Sequence, residues 1–226
     1  MAAAGGALDS AARLPYRQEL LGLTEAERPM FLQTVAEEDA TGAIAKVYAK
    51  EKAGVGFVPE AARCLSTRPD APLLFDTFFD GIKADFSLGA REWCLITFVA
   101  ATCLRSTYCA QVYSNRMLAL GESKETLLAV RRDYRKAGLS DKDVAMLGYA
   151  EKVTVAADQV TQADIDRLRA FGFTDRNIFD IALCASFRCM LSRMVDATGA
   201  MPEPAFQDPD ENFRTAMTVG RKPRNQ

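Results

Sequence analysis

SLGAREWCLITFVAATCLRSTYCAQVYSNRMLAL, residues 87–120, decides the architecture of this chain. It contains no proline, and its one glycine, Gly89, stands near the start. Leu88, Leu95, Val99 and Thr102/Cys103 recur at helical spacing, and Gly121 closes the run. The length is too great for one ordinary helix, and Ala101–Thr107 holds weaker helix formers, so a break is expected there. Without it, Cys94 and Ser106 would stand roughly 18 Å apart on a straight helix. Beyond the break, residues 105, 109, 113 and 116 fall three or four apart and share a face. That face carries Arg105, Cys109, Tyr113 and Arg116, which is polar and reactive. Ser106 lies three residues before Cys109, within reach of its sulfur.

The same punctuation extends outward. Thr41-Gly42 opens a helix that Gly54-x-Gly56 stops; Pro59 opens another, which Arg68-Pro69-Asp70 interrupts. Leu73–Ile82, with Phe75, Phe78 and Phe79, is apolar enough for a buried helix or an interface. Ser140, Thr161 and Thr174 each precede an acid or amide by three residues, the pattern of N-caps. Gly138, Gly172 and Gly199 fit as stops. No segment alternates as a strand does. The expectation is an all-α chain of about eight helices: one domain over 26–206, a flexible extension over 1–25 and a flexible tail over 207–226.

Composition narrows the function. Of 226 residues, 49% are hydrophobic and 26% charged, and the net charge of −2 gives no reason to expect nucleic acid or an anionic membrane. No apolar run is long enough to span a bilayer, and Met1–Ala12 lacks the basic start of a signal peptide, so a cytoplasmic location is expected. The six cysteines are therefore expected to be mostly reduced. Their scatter, and a count of zero histidines, argue against a metal site and imply no metal or cofactor. The lack of histidine also leaves acid–base work to carboxylates, thiols, tyrosines or water. Cys64, Cys103, Cys184 and Cys189 read as core thiols. Cys109 reads either as a buried structural thiol or as a reactive one activated by a cation and a helix N-terminus.

The ordered stretches Glu37-Glu38-x-Ala40-Thr41-Gly42, Gly56-Phe57-Val58-Pro59, Leu88-x-x-Arg91-Glu92, Tyr108-Cys109, Gly172-Phe173-Thr174-Asp175 and Arg193-x-x-Asp196-Ala197 resemble the carboxymuconolactone decarboxylase / alkylhydroperoxidase D-like superfamily, in its peroxidase-related branch. The resemblance covers about residues 28 to 206 and implies an alkylhydroperoxidase D-like helical bundle that self-associates. In redox-active members a glutamate precedes a Cys-x-x-Cys pair and a histidine. At the matching positions this chain has Cys94, Ser106, Cys109 and Tyr113. Only Cys109 is retained, so a dithiol peroxidase cycle is not expected. The resemblance instead implies a diverged, metal-free enzyme on a small organic molecule, of lyase, isomerase or cyclisation type. Cys109, Ser106, Cys94 and Tyr113 are its catalytic candidates. Tyr108 and Arg105 are candidates for substrate binding, with protons supplied through Tyr108 or Tyr113. The alternatives are a one-cysteine peroxidase using Cys109, and a non-catalytic binding or scaffold protein.

Overall fold

The computed structural model describes residues 30–224. The proposed extension over 1–25 lies outside them. Ten α-helices and no strand occur among the described residues. In chain order they are α1 (Gly42–Val55), α2 (Glu60–Arg63), α3 (Ala71–Ala84), α4 (Ala90–Cys103) and α5 (Thr107–Ala119). They continue as α6 (Lys124–Asp133), α7 (Asp141–Ala156), α8 (Gln162–Ala170), α9 (Asp175–Thr198) and α10 (Glu211–Ala216). The count exceeds the expected eight through the division of the 87–120 run into α4 and α5 and through the short α10, whose six residues carry little periodic signal.

α4 is the central helix. Every residue from Trp93 to Ala101 is buried, as expected of a helix that is apolar on all sides. It packs against α5, α7 and α9. The capping expectations hold: Ser140 Oγ accepts from Asp143 N, and Thr174 Oγ1 from Asn177 N. The Asp164 carboxylate accepts from Thr161 N. α1 ends at Gly56 (φ 88°) and α9 at Gly199 (φ 77°), both in the left-handed region that favours glycine.

The long run breaks after Cys103. Ser106 N donates to Ala101 O at 2.9 Å and Arg105 N to Thr102 O at 3.1 Å, the bond pair of a Schellman ending. Arg105 takes the left-handed position (φ 58°), the one non-glycine residue with positive φ among those described. α5 then starts afresh, with Ser106 at its N-cap position and Cys109 in its first turn.

Two expectations change. α3 is an outer helix: only Pro72 is buried, and Leu73, Leu74 and Phe78 are exposed. Its inner edge carries Phe75 and Phe79, which meet the Phe187 ring on α9 at 5.2 and 5.1 Å between centroids. The segment after 206 is folded rather than a loose tail. Asp210 caps α10, Phe213 and Met217 are buried, and Gly220 N donates to Thr107 Oγ1 at the start of α5. Arg224 then pairs with Glu60. The short apolar content of 207–226 hides this packing, since Phe213, Met217 and Val219 are too few to form a periodic stripe.

Candidate active site

The break between α4 and α5 places Cys109 at the positive end of a new helix dipole. α9 crosses beside it and supplies Arg188, which is 2% exposed. Arg188 Nη1 donates to Cys109 Sγ at 3.2 Å, and Nη2 donates to the Tyr113 hydroxyl oxygen at 2.9 Å. The guanidinium carbon also lies 4.5 Å from the Tyr113 ring centre. Burial works against the charge of Arg188, but the Tyr113 oxygen and the Cys109 sulfur hold it above even the ordinary guanidinium range. Two weaker donors reach the same phenol oxygen, Trp93 Nε1 and Arg116 Nη1, each at 3.4 Å. Among the described residues, the Tyr113 oxygen is thus faced by three N–H donors and no acceptor.

Cys109, Tyr113, Arg116 and Arg188 line a cavity of about 120 Å³. Its walls are mostly apolar, with Phe75, Phe79, Val112, Leu191 and Phe206 contributing side chains, while Glu51, Asp76 and Arg116 add charge. Burial, with the Asp76 charge nearby, pushes the Glu51 carboxyl up from the usual carboxylate range. Tyr108 also lines the cavity, but its hydroxyl donates to Glu203 Oε2 at 3.2 Å. Burial, reinforced by the Glu203 carboxylate, raises Tyr108 well above the usual phenol value. Burial likewise raises Glu203, which also accepts from Glu60 N.

The sequence candidates therefore separate. Cys109, Tyr113 and Tyr108 share the cavity. Ser106 is fully buried, and its hydroxyl acts on the Asp196 carboxyl rather than on the sulfur, whose donor is Arg188 and not the expected serine. Cys94 is buried in α4 and lines a different groove with Lys83, Leu88 and Arg116. Arg105 is exposed, and its Nε donates to Val219 O at 3.4 Å on the side of the C-terminal segment. Its left-handed backbone removes it from the helix face shared by Cys109 and Tyr113.

Arg188 and Glu203 were not legible as site residues. Arg188 lies four residues after Cys184 in a helix whose other buried positions, Asp180 and Ser192 aside, are apolar. An arginine at a core position of such a helix is the signal that could have identified it. Burial explains the other thiols: it pushes Cys64 up to about 11 and Cys184 up to about 12, with Cys94 also raised.

The chain has the alkylhydroperoxidase D fold. It superposes on the alkylhydroperoxidase AhpD core of an uncharacterized peroxidase-related protein from Ralstonia eutropha JMP134, with TM-score 0.73 and 24% identity over 86% of this chain and 100% of that one. An uncharacterized peroxidase-related protein from Silicibacter sp. TM1040 gives TM-score 0.74 and 24% identity over 82% and 97% of the two chains. A cysteine-to-alanine variant of the debrominase Bmp8, in complex with 2,3,4-tribromopyrrole, gives TM-score 0.69 and 15% identity over 84% and 98%. Neither a protein-family model nor a curated protein sequence matches the chain.

Proposed function

We propose that this protein is a diverged, metal-free enzyme of its fold that transforms a small organic molecule in the Cys109 cavity, by thiol and acid–base chemistry of lyase, isomerase or cyclisation type. The observation that carries this reading is the Cys109–Arg188–Tyr113 cluster at the wall of an apolar cavity. An apolar cleft with a few convergent polar groups is how small-molecule sites are built. A guanidinium donor set against sulfur suits a thiolate, the form in which cysteine acts as base or nucleophile. The Tyr113 hydroxyl, with donors around its oxygen and no acceptor, has its proton free for a substrate atom in the cavity. Tyr108 is committed to Glu203 and acts in this scheme by shaping the wall.

A dithiol cycle has no place in this scheme, because Ser106 replaces one thiol and Cys94 lines another groove. The bromopyrrole held by one structural neighbour is a small flat ring, which agrees with a flat substrate here. The exposed Leu74 and Phe78 of α3 are the surface we assign to self-association; light scattering of the purified chain tests that assignment.

The test of the main reading is native mass spectrometry of the purified protein. A co-purifying molecule below a few hundred daltons is expected, and it should be absent from Tyr113→Phe or from a variant with Val112 enlarged to Trp. An empty cavity, with Cys109 unmodified by any small electrophile, would count against it. The Arg188–Cys109 contact also serves a second reading, a one-cysteine peroxidase. Peroxide-dependent sulfenic acid at Cys109, lost in Cys109→Ser, would favour that reading instead.

A further inference from the structure

Arg188 is a buried cation without an anion. Among the described residues no carboxylate pairs with it: besides the Tyr113 and Phe187 rings, its hydrogen-bond partners are a sulfur and a phenol oxygen, and Nε has no hydrogen bond. Two carboxylates share the cavity wall, but Asp76 is paired with Lys50 at 2.6 Å, and Glu51 is not bonded to Arg188. Burying a charge is expensive unless it is paired and fully hydrogen-bonded. A guanidinium offers five N–H donors, of which Cys109 and Tyr113 use two. The unused Nε–H and the second Nη2 hydrogen form one edge of the group, the fork that matches a carboxylate with two parallel bonds.

We propose that the cavity takes a small, flat organic carboxylate whose anionic end sits on the Nε–Nη2 edge of Arg188. Its apolar body then lies among Phe79, Val112 and Leu191, with Cys109 and Tyr113 flanking the carboxylate end. The proposal rests on the small-molecule reading of this cavity and adds the chemical class of the ligand. The alternative anion is Cys109 itself: a resident thiolate would already neutralise Arg188 and leave no demand for an anionic ligand.

The test compares benzoate with its neutral isostere benzamide by calorimetry on the full chain, at one pH and ionic strength. Benzoate should bind at least about ten-fold more tightly than benzamide, the discrimination expected of a charge-assisted fork. Arg188→Met should abolish that preference, and Arg188→Lys, which keeps the charge without the fork, should lose most of it. Thermal melts establish that each variant is folded, and the wild-type comparison decides the matter if one is not. Equal binding of both probes would overturn the carboxylate proposal while leaving a small-molecule cavity standing. Binding of neither, with no protection of Cys109 from iodoacetamide by either, would overturn both. An anion preference that appears only in Cys109→Ser would identify the thiolate as the resident counter-ion and overturn the proposal. A preference that survives Arg188→Met would overturn it too.

Discussion

At the scale of single residues, Arg188 sets a stability cost against a function. It fills a core position with a charge that Cys109 and Tyr113 satisfy only in part. Replacing a buried charge by an apolar side chain of similar volume is often neutral or stabilising, by up to about 4 kcal/mol. Arg188→Met should therefore unfold at equal or higher urea concentration than wild type. A loss of more than about 3 kcal/mol, the cost of breaking a buried pair, would mean that a structural anion holds Arg188. Alkylation makes a second check at this scale. Burial keeps Cys64 and Cys184 in the thiol form, at about 11 and about 12, and raises Cys94 as well. Iodoacetamide at pH 8 should modify Cys109 ahead of these three, as read by peptide mass spectrometry. Labelling of Cys184 first would contradict the assignment of Cys109 as the reactive thiol.

At the scale of elements, the decisive feature is the interruption between α4 and α5. Weak helix formers in Ala101–Thr107 made a break legible, because propensity acts locally. The residue that turns the chain was not legible, because Arg105 lacks the glycine that usually marks a left-handed helix end. Arg105→Gly relieves that conformation, and stability should rise by roughly 1 kcal/mol, since a left-handed non-glycine residue costs about that much. An unchanged or lower urea midpoint would mean that the Arg105 contact with Val219 outweighs the strain. The N-caps were legible for the same local reason, and α8 permits a quantitative check. Asp164 is held down to about 2, first by the Lys152 ammonium and then by Thr161. A carboxyl lowered in the fold contributes stability that is complete above its ordinary value near 3.8 and is lost as pH falls toward about 2. Asp164→Ala should cost about 1 kcal/mol at pH 7, as loss of a cap does. That difference should shrink through this window in acid titrations of both proteins. A difference independent of pH would mean that the carboxylate charge contributes nothing.

At the scale of the molecule, helical periodicity made the bundle legible, while contacts distant in sequence did not show. Cys109 and Arg188 lie 79 residues apart and meet only because α5 and α9 cross. The C-terminal segment escaped for a related reason: its few apolar residues acquire meaning only against the groove they fill. Phe213 and Met217 are 2% and 1% exposed, and burying such side chains is worth about 1.5–3 kcal/mol each. Thr218 Oγ1 accepts from Gln111 Nε2, Gly220 N donates to Thr107 Oγ1, and Arg224 pairs with Glu60, so the segment ties both α5 and α2. Ordering this stretch of backbone opposes the gain. Deleting residues 208–226 should lower the urea midpoint, because it removes these buried side chains and the bonds to α5 and α2. Phe213→Ala, with the rest of the chain intact, should cost about 3–5 kcal/mol through the cavity it leaves. The effect should reach the site as well, because Gly220 bonds to the first turn of α5, where Cys109 lies. In the truncated chain Cys109 should react faster with iodoacetamide, while Cys184, deep between α4 and α9, should not. Unchanged urea midpoints in both variants would return 207–226 to the flexible tail that its sequence suggests.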